Sequence, residues 1–158
     1  MIRLLILAAL SAVTVAGCSS TPSAPPPVAT PAPRVGTALT MAINAPVLTV
    51  RETIVTRARQ RGTAAKLADA RSVVLERSLA DTPAALAEQC GAHKPGRIVR
   101  IVLSTIARGA RTEVSERRFI VDTDGGNCPV TLTDVEAADG TRSLADLKAQ
   151  AESQGIQR

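Results

Sequence analysis

The chain has 158 residues, 45% of them apolar and 21% charged, enough for one globular domain and too few for a second large one. Sixteen Arg and three Lys against 14 Asp plus Glu leave a formal net charge of +5. A single aromatic residue, Phe119, and a single histidine, His93, exclude an aromatic platform for bases or sugars and a His-rich metal site.

Residues 1–17 carry one positive charge, Arg3, then an apolar run from Leu4 to Ala16 broken only by Ser11 and Thr14. The run is shorter than the roughly 20 residues of a spanning helix, and its basic start and small-residue end are those of a secretory signal. Val15-Ala16-Gly17-Cys18 resembles the lipobox of bacterial lipoprotein signal peptides. The resemblance implies a diacylglycerol on the Cys18 thiol, cleavage before it, acylation (palmitate) of the new N-terminus, and the membrane as a partner. In that family an Asp after the cysteine favours retention in the inner membrane of enteric bacteria. Ser19 stands there instead, which implies a lipid anchor in the outer membrane facing the periplasm.

Residues 18–35 hold Pro at 22, 25, 26, 27, 31 and 33 and no apolar period, a composition that favours an extended polyproline spacer. Residues 36–158 read as one domain. Thr37–Asn44 fits a first strand. Pro46 suits the first position of a helix over 46–61, in which Val47, Val50, Ile54 and Ala58 recur at helical spacing and Gly62 supplies the stop; the β-branched run from Thr53 to Thr56 leaves strand as the alternative. Ala64–Leu67 and Ser72–Leu79 form the arms of a hairpin. Asp81 or Thr82 is expected to cap a short helix, with Pro83 in its first turn and its end near Gly91.

Arg97–Ala107 carries the strongest strand signal, and its near-continuous apolar core fits burial on both faces. Thr112–Asp122 returns from the turn at Arg108–Arg111, with Phe119, Ile120 and Val121 as the buried end. A strand over Val130–Val135 and a last helix opened by the capping pattern Ser143-x-x-Asp146 complete the chain. The order predicts an α+β fold, a small antiparallel sheet with helices packed on one face. As topology alone, it resembles the helix-grip domains of some outer-membrane assembly lipoproteins.

With Cys18 taken by lipid, Cys90 and Cys128 remain, and two cysteines in an exported chain are expected to pair. The alternative is a reactive Cys90 with His93 as its base. His93 otherwise reads as a surface residue, and Asp122–Asn127 as a tight turn, because Thr133 stands where a calcium loop would need its bidentate acid. No G-x-S-x-G, phosphate loop or dinucleotide fingerprint occurs, so neither enzyme chemistry, metal nor cofactor is expected. Arg34–Arg118 holds 15 basic and seven acidic residues, and the stretch from Phe119 to the end three and seven. Arg51, Arg57, Arg59, Arg61, Arg108 and Arg111 are the candidate anion-binding residues. Anionic partners in the envelope are lipid headgroups, lipopolysaccharide, wall polymers or an acidic protein. Nucleic acid is not expected. The combined expectation is a non-enzymatic, lipid-anchored periplasmic module that serves an envelope protein partner, or binds an anionic envelope component.

Overall fold

The computed structural model describes residues 34–36 and 38–155. The signal segment, Cys18 and the Pro-rich stretch up to residue 33 lie outside the described residues. The elements follow in the order β1 (Arg34–Gly36), β2 (Ala38–Ile43), α1 (Val47–Gln60), β3 (Ala64–Leu67), β4 (Ser72–Ser78), α2 (Ala84–Cys90), β5 (Ile98–Arg108), β6 (Arg111–Val121), β7 (Asn127–Pro129), β8 (Leu132–Thr133) and α3 (Asp134–Gly155). The fold is α+β. An antiparallel sheet runs β2-β6-β5-β4-β3, with β7 pairing the far end of β6, while β1 pairs with β8 in a separate two-stranded ribbon. The folded unit thus takes in Arg34–Gly36, which the proline-rich composition had assigned mostly to the spacer.

Helices α1 and α3 cover one face of the sheet. Strand parity sets that face: Leu39, Met41 and Ile43 from β2, Val73 and Leu75 from β4, Ile101 and Leu103 from β5, and Val114 from β6. Val50 and Ile54 of α1 and Leu144, Leu147 and Ala151 of α3 close over them to form the main core. Thr49, Val50, Thr53, Ile54 and Ala58 are the buried stripe of α1, the helical period expected from the sequence. The helix ends in a Schellman motif. Gly62 adopts φ 65°, its N–H reaches the Arg59 carbonyl at 3.0 Å, and the Thr63 N–H reaches that of Ala58 at 2.9 Å.

Several boundaries differ from expectation, each for a local reason. Pro46 and Pro83 occupy the cap positions of α1 and α2 with extended backbone, not the first turn, and neither helix has a side-chain cap. Thr82 is diverted: its hydroxyl accepts from Arg97 and meets His93 Nδ1 at 3.1 Å. The expected strand over Val130–Val135 is only Leu132–Thr133, and α3 begins at Asp134, well before Ser143. The operating capping box is Thr133 with Glu136. The Thr133 N–H donates to Glu136 Oε2 at 2.8 Å, and the Glu136 N–H donates to Thr133 Oγ1 at 3.3 Å.

Gly140 sits inside α3 because the helix crosses the sheet closely there. A Cβ at this position would collide with Leu39 Cδ1 and lie 2.8 Å from Arg118 Nη2. Strand β5 is covered on one face only. Leu103 and Thr105 are buried, whereas Val102 and Ser104 on the other face are half-exposed and Ile106 is exposed. At the end of β6 only Ile120 is buried, and Phe119 and Val121 lie half-exposed on the uncovered face.

Candidate functional site

Two clusters of polar side chains stand out, and they use arginine differently. The first surrounds the disulfide. Cys90, at the end of α2, and Cys128, in β7, are bonded, with Cα atoms 5.7 Å apart. Beside them Arg97 is 1% exposed. Its Nε donates to Asp122 Oδ1 at 2.6 Å and its Nη2 to Oδ2 at 3.2 Å. Nη1 donates to the Gly91 carbonyl at 2.9 Å and to Thr82 Oγ1 at 3.3 Å, and Nη2 also reaches the Cys90 carbonyl at 3.1 Å. The guanidinium therefore closes the end of α2, whose last carbonyls would otherwise lack partners.

Lys94 completes the cluster, 2.9 Å from Asp122 and 3.0 Å from Asp124. The Arg97 hydrogen bonds, then Lys94, pull the Asp122 carboxyl from its ordinary range down to about 2. The Asp122–Asn127 segment is a tight turn, as expected: the Asp122 N–H donates to the Gly126 carbonyl and the Gly125 N–H to that of Asp122, with Gly125 at φ 87°. His93 is exposed. With its sulfur in the disulfide, Cys90 has no thiol for the His93-assisted alternative.

The second cluster lies at the Gly62 end of α1, between the helices and the sheet. It encloses a cavity of about 400 Å³, within the roughly 300–1,000 Å³ of small-ligand pockets. The floor is apolar: Leu75, Val99, Ile101 and Leu103 from the sheet, with Leu144 and Leu147 from α3. Four arginines stand around it, Arg57 from α1, Arg61 at the C-cap of α1, Arg77 from β4 and Arg118 from β6. Strand parity delivers the last two. Arg77 continues the inward alternation of Val73 and Leu75, and Arg118 pairs in register with Ile101.

Acids compensate this charge only in part. Glu116, 6% exposed, accepts from Arg118 Nε at 2.7 Å. Asp146 on α3 stands 3.8 Å from Arg57 and is largely exposed, whereas the Arg57 side chain is 14% exposed. Burial, and then the Arg61 charge one turn on, lower the Arg57 pKa, with Asp146 opposing them. The Glu76 carboxylate also borders the cavity, but it is engaged by Lys66 at 3.0 Å and Arg100 at 2.7 Å. Arg61 and Arg77 are exposed and have no ion-pair partner among the described residues.

The six arginines singled out in the sequence do not meet on one face. Arg57 and Arg61 reach the cavity. Arg51 is spent on structure: its Nη1 and Nη2 donate to the Ala70 and Asp69 carbonyls at 2.9 and 2.7 Å, pinning α1 to the β3–β4 turn. Arg59 is exposed on α1. Arg108 pairs with Glu113 at 3.4 Å near the tip of the β5–β6 hairpin, and Arg111 is exposed at the same tip. Arg77, Arg118 and the buried Arg97 were missed. The signal that finds the first two is a charge at an inward position of an otherwise alternating strand.

Among the described residues no group of three or more His, Cys, Asp or Glu side chains is placed to hold a metal ion. No protein-family model matches the chain, and no curated protein matches it either.

Proposed function

We propose that this chain is a lipid-anchored accessory module of the bacterial cell envelope, held at the periplasmic face of the outer membrane and acting by binding, not by catalysis. The observation that carries the proposal is the Val15-Ala16-Gly17-Cys18 sequence behind a short apolar run, followed by a proline-rich stretch and a folded domain. Two or more acyl chains on Cys18 would hold the domain durably, because each buried methylene contributes about 0.8 kcal/mol and one chain alone binds marginally. The domain itself supports a binding role, since its two cysteines are joined to one another and its most buried guanidinium, that of Arg97, is taken up by Asp122 and the end of α2.

Cys18→Ala is the direct test. The native chain should take up labelled palmitate and fractionate with membranes, and the variant should do neither. Membrane fractionation of the variant together with absence of label in the native chain would refute the anchor. In-cell crosslinking of the native chain should also give a reproducible partner, and recovery of monomer alone would count against an accessory role.

A second reading is favoured by one specific observation, the incompletely neutralised arginines around the helix–sheet cavity. In this reading the module engages an anionic component of the envelope, with Arg57, Arg61, Arg77 and Arg118 in place of the six-arginine set. Charge-driven binding of this kind weakens with salt. Retention on lipopolysaccharide or wall material that is indifferent to salt would discard it.

A further inference from the structure

We infer that the helix–sheet cavity is a binding site for a single-chain anionic amphiphile, an acyl chain ending in a carboxylate or a phosphate monoester. The inference rests on the second reading above and adds to it the apolar half of the ligand and the place where it sits.

Both halves follow from the walls. Leu75, Ile101 and Leu103 below and Leu144 and Leu147 above offer no hydrogen-bonding side chain, so they suit a hydrocarbon segment and reward its removal from water. The mouth is cationic. Arg57 and Arg61 stand one helical turn apart, a spacing at which like charges repel, and Arg57 is largely withdrawn from water with a single acid 3.8 Å away. An anionic head between them and Arg77 would relieve that repulsion and accept charge-assisted hydrogen bonds. A cavity of about 400 Å³ lies toward the lower end of the ligand-pocket range of roughly 300–1,000 Å³, which fits one chain and not the two of a whole phospholipid. Arg118, held by Glu116 at 2.7 Å, forms part of the wall and positions the inner end of the site.

The probe is a diazirine-bearing dodecanoate, photoactivated on the full chain in phosphatidylcholine nanodiscs, with adducts mapped by peptide mass spectrometry. Labelling is expected on the peptides carrying Leu75, Ile101 and Leu144. Dodecanoate and dodecyl phosphate should displace it, and dodecanol and inorganic phosphate should not. The paired substitution Arg61→Glu and Arg77→Glu, at two exposed positions, should lower labelling about tenfold with the circular dichroism spectrum unchanged. If that variant does not fold, salt titration of the unaltered protein gives the same readout, and labelling should fall as salt rises. Displacement by dodecanol as strongly as by dodecyl phosphate, or labelling confined to the uncovered face around Val102 and Phe119, would overturn the inference. Displacement by inorganic phosphate as strong as by dodecyl phosphate would also overturn it, while leaving anion recognition by the cavity arginines standing.

Discussion

Arg97 and Arg61 carry the same group and do opposite things. Arg97 is buried, and all three of its nitrogens donate, to both oxygens of Asp122, two backbone carbonyls and a threonine hydroxyl. Nothing of it is left for a ligand. Arg61 is exposed at the mouth of a cavity with an apolar floor, beside a second arginine, with no carboxylate partner among the described residues. Whether the donors of a guanidinium are already taken separates an arginine that builds the fold from one that can serve a partner. Positive charge counted along the sequence cannot make that distinction.

Removing the structural arginine is the severest way to break the comparison. Arg97→Met leaves Asp122 facing Lys94 alone and strips two carbonyls at the end of α2 of their donors. The melting temperature should fall by more than about 10 °C, whereas Arg61→Glu should move it by little, as surface substitutions do. Equal shifts in differential scanning calorimetry would erase the distinction.

The disulfide in the same corner closes a loop between residues 38 positions apart. Reduction should lower stability by roughly 3–4 kcal/mol, read from the midpoint of urea unfolding with and without dithiothreitol. Gly140→Ala comes next. The new methyl must push aside the ends of the Leu39 and Arg118 side chains, at a net cost of about 1–2 kcal/mol once the roughly 1 kcal/mol that alanine gains over glycine in a helix is set against the overpacking. The same change should weaken labelling of the cavity, because Arg118 lines it.

Acid sharpens the contrast without mutation. The Asp122 carboxyl is depressed in the folded state to about 2, so its contribution is complete above the ordinary aspartate range and disappears as pH falls from about 4 through 2. An acid titration followed by circular dichroism should show stability declining across that window, and Asp122→Asn should flatten this part of the curve. The smallest effect is expected from Thr133→Ala, which removes one side of the α3 capping box and should cost about 1 kcal/mol.

Much of the sheet was legible in advance, and the reasons are local. The β3–β4 and β5–β6 hairpins announce themselves through apolar arms around short polar turns, and α1 through a buried stripe that ends at Gly62. The C-terminal segment misled for equally physical reasons. Thr131, Leu132, Thr133 and Val135 favour strand locally, and Gly140 argues against a helix interior. Close packing on Leu39 and Arg118 is what makes a glycine acceptable there, and that is a tertiary fact. The continuous apolar run of β5 suggested two covered faces, but the helices lie on one side only.

The site was half legible. Arg57 and Arg61 stood out as basic residues on a helix, and Cys90 and Cys128 as a pair. Arg77 and Arg118 did not, because each follows polar neighbours and acquires its place only through strand parity and register. Arg51 reads as a ligand-binding cation in the sequence, but its guanidinium donates to the Asp69 and Ala70 carbonyls of the β3–β4 turn.

The division of the arginines can be read in a single experiment, nuclear magnetic resonance of the arginine Nε–H groups during titration with dodecyl phosphate. The signals of Arg57, Arg61, Arg77 and Arg118 should shift together and saturate, while those of Arg97 and Arg51 stay where they are. Movement of Arg97 along with the rest, or no response from the four cavity arginines, would contradict the account.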